Sequence, residues 1–155
     1  MRSPIRFFVP GIPRPGGSKK SFHHAKTGKI ITMDMGGQKT KDWRSAVASF
    51  ALEAMVGKKP LEGPLKLRVM LVMPRPKNHY GTGKNAGKLR GGISLWHAIA
   101  PDTTKLLRST EDACKGLLWR DDCQVAEQHA EKIYTLTFLK TEHPGAWIEV
   151  TQLES

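Results

Sequence analysis

Pro64-Leu65-Lys66-Leu67-Arg68-Val69-Met70-Leu71-Val72-Met73 is the stretch on which the fold turns. Its first half alternates apolar with basic side chains and its second half is apolar throughout. That pattern describes a strand with one covered face that runs on into a place where both faces are covered. It predicts an interior strand. Upstream, Trp43, Val47, Phe50, Ala51 and Ala54 recur at three- and four-residue steps between Gln38 and Val56, which predicts an amphipathic helix with Lys39, Lys41 and Arg44 at its start. Gly57 and Pro60 end it. Further back, Lys29 to Met33 and Arg6 to Val9 read as short strands, divided by the Pro- and Gly-rich run PGIPRPGGSKK.

Downstream of Met73 lies RPKNHYGTGKNAGKLRGG, residues 75–92, with five Gly, five basic residues and no acid. A loop of that length and composition predicts a flexible arm that meets phosphates through Arg75, Lys77, Lys84, Lys88 and Arg90. Ile93 to Ala100 reads as a short strand. Thr103 to Leu118 reads as a second helix, with Leu106, Leu107, Thr110, Ala113, Cys114, Leu117 and Leu118 on one arc. Arg120-Asp121-Asp122 is a turn, Gln124 to Tyr134 a strand, and His143-Pro144-Gly145 a hairpin returning the chain as Trp147 to Leu153. The expectation is one α+β domain over residues 1–155, a mixed β-sheet packed with two main helices.

Charge is unevenly divided along the chain. The 155 residues hold 25 Lys+Arg and 14 Asp+Glu, a net charge of +11. Residues 1–101 hold 19 of those bases and 4 of the acids, whereas residues 102–155 hold 6 and 10. A basic body of local charge +15 implies an anionic partner, nucleic acid or an acidic membrane surface. No apolar run approaches the roughly 20 residues that span a bilayer, and the apolar stretch before Pro10 is too short for a signal peptide. The chain is therefore expected to act in the cytosol without a membrane. Cys114 and Cys123 make neither a disulfide framework nor a zinc knuckle and read as two small buried side chains.

The acids carry the chemistry. Asp102 follows 39 acid-free residues and heads the second helix, where the local reading is an N-cap. Asp121 and Asp122 lie at the turn after that helix. Glu111 with Lys115 and Arg108 with Asp112 are four apart and read as surface pairs. A carboxylate on a phosphate-binding surface repels the substrate unless it holds a cation. Mg²⁺ takes one or two carboxylates and completes its shell with water and phosphate oxygens, the usual arrangement for cutting phosphodiesters.

Two stretches then become recognisable. Pro101-Asp102-Thr103-Thr104-Lys105-Leu106-Leu107-Arg108-Ser109-Thr110-Glu111-Asp112-Ala113, followed by Leu117-Leu118-Trp119-Arg120-Asp121-Asp122-Cys123-Gln124-Val125, resembles the signature of the RusA family of Holliday junction resolvases. Gly11-Ile12-Pro13, with basic residues and Ser18 after it, is similar to the family's opening. The resemblance implies a dimeric Mg²⁺- or Mn²⁺-dependent endonuclease, of phage or prophage type, that cuts four-way DNA junctions symmetrically. By position it implies that Asp102 and Asp122 hold metal with Asp121 as helper, that Asp112 is structural, and that Arg108 stands at the family's helix lysine. Lys19 and Lys20 join the basic loop as DNA contacts. Thr104 and Lys105 depart from the family's Asp and Asn, so a neutral ligand replaces an acid and a cation replaces an amide, and Lys105 is expected to take over part of a metal's electrostatic task. The competing readings are a branched-DNA-binding relative with weak or no catalysis, in which His79 and Tyr80 stack on bases, and a basic RNA-binding protein.

Overall fold

Leu65–Met73 is the interior strand of a four-stranded sheet in a computed structural model that describes residues 3–17, 19–34, 36–136 and 142–154; Ser18 lies outside the described residues. In chain order the elements are β1 (Ile5–Pro10), β2 (Lys19–His23), β3 (Ile30–Asp34), α1 (Gly37–Ala54), β4 (Leu65–Met73), α2 (Thr103–Cys114), β5 (Val125–Tyr134) and β6 (Gly145–Gln152). The main sheet runs β1-β6-β4-β5, while β2 and β3 form a separate antiparallel pair. The chain is α+β, with a mixed sheet and two helices, as its patterning implied.

Strand geometry sends alternate side chains to opposite faces. Leu65, Leu67, Val69 and Leu71 are therefore all buried beneath the helices, together with Ile5, Phe7 and Val9 of β1 and Ile148 and Val150 of β6. On the other face Arg6 pairs with Glu149 and Lys66 with Glu127, each directly opposite its partner in register. At the end of β4 the alternation stops because Val72 and Met73 are buried as well, beside Ile133 and Tyr134.

Both helices cover the first face. Trp43, Val47 and Ala51 of α1 meet Leu106 and Cys114 of α2 in the core. Where they touch, Trp43 Nε1 donates to Thr110 Oγ1 at 3.3 Å, and Thr110 Oγ1 donates to Leu106 O at 3.0 Å, so neither buried polar group is left unpaired. No helix among the described residues is long and apolar enough to cross a membrane.

Several local expectations are corrected. β2, KKSFH, is a strand that the sequence did not announce, because it is exposed along its whole length and has no burial pattern. The helix expected to reach Leu118 stops at Cys114: Lys115 turns extended and Gly116 takes φ +78, after which Leu118 and Trp119 enter the core from a turn. Residues 93–100 make one bridge, Trp96 to Ile133, where a strand was expected. The expected hairpin at 143–145 is absent, since β4 lies between β5 and β6; residues 137–141 of that connection lie outside the described residues. Cys114 is buried as expected, but Cys123 is exposed.

Truncating the interior strand tests this packing. Leu67→Ala should lower the unfolding free energy by about 2–5 kcal/mol in urea denaturation, while Lys84→Ala on the exposed loop should change it by less than about 0.5 kcal/mol.

Candidate active site

The start of α2 is held from β5. Lys132 Nζ donates to Ile99 O and Pro101 O, both at 2.6 Å, and the Ala100–Pro101 peptide is cis. Burial pushes the Lys132 amine below its ordinary range, with Asp102 pulling the other way. His97 N donates to Lys132 O at 3.1 Å, and the His97 ring is buried against Tyr134 at 4.8 Å. These bonds deliver Asp102 to the N-cap position of α2. Its side chain, however, accepts no cap hydrogen bond. It is 70% exposed, and its ion contact is Lys105 Nζ at 3.8 Å. The carboxylate lone pairs therefore face outward instead of serving the helix.

A proline- and glycine-rich strap crosses the next two turns of α2. Gly16 N donates to Lys105 O at 2.9 Å, Ser109 Oγ donates to Arg14 O, and Thr40 Oγ1 of α1 donates to Pro15 O at 2.9 Å. The approach requires glycine. A Cβ on Gly16 would lie 2.9 Å from Ser109 Cβ, and one on Gly17, at φ +81, would lie 2.9 Å from Arg108 Cδ. Because β2 begins two residues further on, Lys19 and Lys20 follow directly from a segment that touches Arg108.

Asp121 and Asp122 occupy the other end of α2. Asp121 caps a single 3-10 turn, Asp122–Gln124: it accepts from Cys123 N at 3.2 Å, and Gln124 Oε1 reaches back to Asp121 N at 3.1 Å. The Cys123 N–H bond, and then Lys115 Nζ at 3.2 Å, hold the Asp121 carboxyl below its usual range. Gln124 Nε2 ties the turn to Leu61 O and Gly63 O, just before β4. Asp122 Oδ1 accepts from the buried Trp119 indole at 2.9 Å. Its neighbour on α2 is Glu111, whose carboxyl is pushed up by burial and then by the charges of Asp122 and Asp112, while Gln128 donates to it at 2.7 Å. Burial, then Glu111 and Asp122, raise the Cys114 thiol to about 12, so this sulfur is inert. Asp112 pairs with Arg44 of α1 at 3.3 Å, a bond between helices in place of the expected Arg108 partner.

The expected metal aspartates are thus distributed. Asp102 is the N-cap just before α2, whereas the charge of Asp122 is felt at Glu111 in its last turn, about 13 Å further along the axis at 1.5 Å per residue. Among the described residues no three His, Cys, Asp or Glu side chains converge on one point. Thr104, Arg108, Glu111 and Lys115 line the stripe between the two ends. Glu111 was legible there only as a surface pair, and Lys132 carried no signal at all because its contacts are tertiary.

The 75–92 segment, for which composition suggested a flexible arm, folds back on itself. It holds two single 3-10 turns, Lys77–His79 and Gly83–Asn85, closed by Gly81 N to Lys88 O and Arg90 N to His79 O, both at 2.9 Å. Arg75 is a pin in this fold and not a free phosphate contact. Its guanidinium donates to Thr135 O at 2.8 Å and Ser94 O at 3.0 Å and lies 5.0 Å over the Tyr134 ring. His79 packs edge-on against the same ring, so it is engaged there and not displayed for stacking. Arg90 Nε donates to Tyr80 O at 2.9 Å, and the residue is exposed. Lys77, Lys84 and Lys88 are exposed.

Residues 10–150 match the family model described as Endodeoxyribonuclease RusA. The chain is also similar to the uncharacterized protein YqaN of Bacillus subtilis (strain 168), with 28% identity over 135 residues that cover 84% of this chain and 88% of that protein.

His97 gives the mount of Asp102 a pH dependence. Burial, then Lys132, hold its pKa below the ordinary 6.5, so the folded state disfavours its proton and the unfolded chain binds it more readily. Stability should be full above about pH 6.5 and fall as pH drops below it. Urea denaturation across pH 5 to 7.5 should show that loss in the wild type and a flatter profile in His97→Phe.

Proposed function

The chain belongs to the RusA endodeoxyribonuclease family, which acts on Holliday junctions, and on that premise we propose that it is a metal-dependent endonuclease that resolves four-way DNA junctions by paired cuts. The observation that carries this reading is Asp102. It stands where a helix ordinarily uses such a side chain as its cap, yet it leaves the helix uncapped and keeps its carboxylate exposed beside Lys105.

Asp102 at one end of α2, and Asp122 with Glu111 at the other, offer hard oxygen donors that suit Mg²⁺ or Mn²⁺. Such ions need only one or two protein carboxylates when water and phosphate complete the shell. The like-charge pressure of Asp122 on Glu111 is of the kind a cation relieves. When bound, the ion supplies Lewis-acid polarisation of the scissile phosphate and neutralises charge that grows in the transition state.

The chain's own residues do the rest. Asp121, fixed by its capping turn and by Lys115, holds Asp122 in place. Arg108 presents a fork of donors to the non-bridging phosphate oxygens, and Lys105 adds a point charge beside Asp102. Lys19, Lys20, Lys77, Lys84, Lys88 and Arg90 hold the DNA arms by charge, so affinity falls steeply with salt. Two symmetric cuts need two sites, for which a homodimer is the simplest assembly. The setting is the cytosol, where such junctions form.

A second reading, junction binding with weak or no cleavage, draws on the Lys105 ammonium 3.8 Å from Asp102, where a cation already answers the carboxylate. One assay separates the two. Purified protein is incubated with labelled four-way junction, duplex DNA and RNA, in Mg²⁺ or in EDTA; paired nicks in the junction with Mg²⁺ alone support the nuclease. Asp102→Asn and Asp122→Asn should each reduce that cleavage by roughly a hundredfold or more while keeping or improving junction binding. Full cleavage in either variant refutes its assignment.

A further inference from the structure

The segment between the basic loop and Asp102 exposes apolar side chains that the mechanism does not use. Trp96 is 54% exposed, Ile99 62% and Leu95 37%. Exposed apolar groups this close together mark a contact surface more often than chance.

The backbone that carries them is held on every side. Trp96 N donates to Ser94 Oγ at 3.0 Å, and Ser94 Oγ donates to Trp96 O at 3.2 Å. Arg75 binds Ser94 O at 3.0 Å, Tyr134 N binds Leu95 O at 2.8 Å, and His97 N binds Lys132 O at 3.1 Å. His97, the next side chain, is buried. A large flat ring therefore projects from a rigid mount, and little ordering is needed when it meets a partner.

The surroundings identify that partner as a polyanion with accessible flat faces. No acid occurs between Glu62 and Asp102. Lys88 and Arg90 precede the ring on the loop, and Lys105 follows it on α2. Continuous duplex DNA buries its base faces in the stack, whereas a branch point exposes the faces of its terminal pairs. Aromatic side chains stack on such faces regardless of sequence.

We propose that Trp96, flanked by Ile99, is a wedge that stacks on the base faces exposed at the branch point and so distinguishes branched DNA from duplex. The inference rests on the reading above that the substrate is junction DNA. Within that reading it supplies the discrimination, which phosphate contacts alone do not give because every duplex offers them.

The test compares binding to a four-way junction and to a duplex of the same sequence, in EDTA at fixed salt, for the wild type, Trp96→Ala, Trp96→Phe and Lys84→Ala. Trp96→Ala should weaken junction binding by roughly tenfold or more and duplex binding by less than about threefold. Trp96→Phe should keep most of the preference, and Lys84→Ala should weaken both substrates alike. A 2-aminopurine at the branch point should change fluorescence with the wild type and not with Trp96→Ala, whose fold is checked by its unfolding midpoint.

Equal losses on both substrates, or no loss, in a folded Trp96→Ala overturn the wedge. So does a change of oligomeric state at unaltered affinities, which would assign the ring to a second copy of the chain. If the wild type neither prefers nor cuts junctions, the functional reading falls and the wedge with it. If it cuts them while Trp96→Ala keeps full selectivity, only the wedge falls.

Discussion

Parallel pairing of β4 with β5 is the constraint from which the other features follow. Two parallel neighbours cannot be joined by a tight turn, because the chain leaves one strand at the end opposite to where it must enter the next. Here the return path runs from the end of β4 at Met73 to the start of β5 at Val125. It contains the basic loop, the Trp96 segment, Asp102, all of α2 and the Asp121-Asp122 turn. A single topological requirement thus gathers the basic loop, the exposed Trp96 and the three aspartates Asp102, Asp121 and Asp122 onto one connection. It then fastens that connection at three places: Lys132 under its middle, Gln124 at its end, and Arg75 at its beginning.

The electrostatics divide in the same way. Some charges face neighbouring strands, as in Arg6 with Glu149, and others join the helices, as in Arg44 with Asp112. Exposed pairs of this kind contribute little to stability. Exposed cations also lie on the crossover, at Lys77, Lys84 and Lys88, and on β2, at Lys19 and Lys20. There the absence of acids between residues 62 and 102 leaves a field that polyphosphate can enter. Asp102 opens the acidic part of the chain at the point where that field ends.

Most of the core was legible because burial imposes a period. β4, α1 and the first three turns of α2 each bury one set of side chains at regular spacing, and their residues show it. Where burial is absent the period vanishes, which is why β2 left no trace. Where burial comes from a turn the period misleads: Leu118 continues the helical arc in sequence but enters the core after the helix has ended. Asp102 was legible as a position and not as an uncapped one, since the cap depends on a side-chain rotation. Arg75 illustrates the reverse limit. Its sequence neighbours make it one cation of a basic run, and only the approach of Tyr134, Ser94 and Thr135 makes it a structural pin.

The turn that carries Asp121 and Asp122 has a consequence for how kinship is read. Of its four motif positions, the first aspartate caps the turn and the glutamine ties it to the chain just ahead of β4, so both are required by architecture whether or not the protein cuts DNA. Selection for folding alone would preserve them. A descendant that lost its nuclease activity would keep this part of the signature nearly intact and would erode first at Asp102, whose carboxylate no hydrogen bond of the fold uses. On the reading proposed above, divergence at that residue would say more about activity than survival of the turn does.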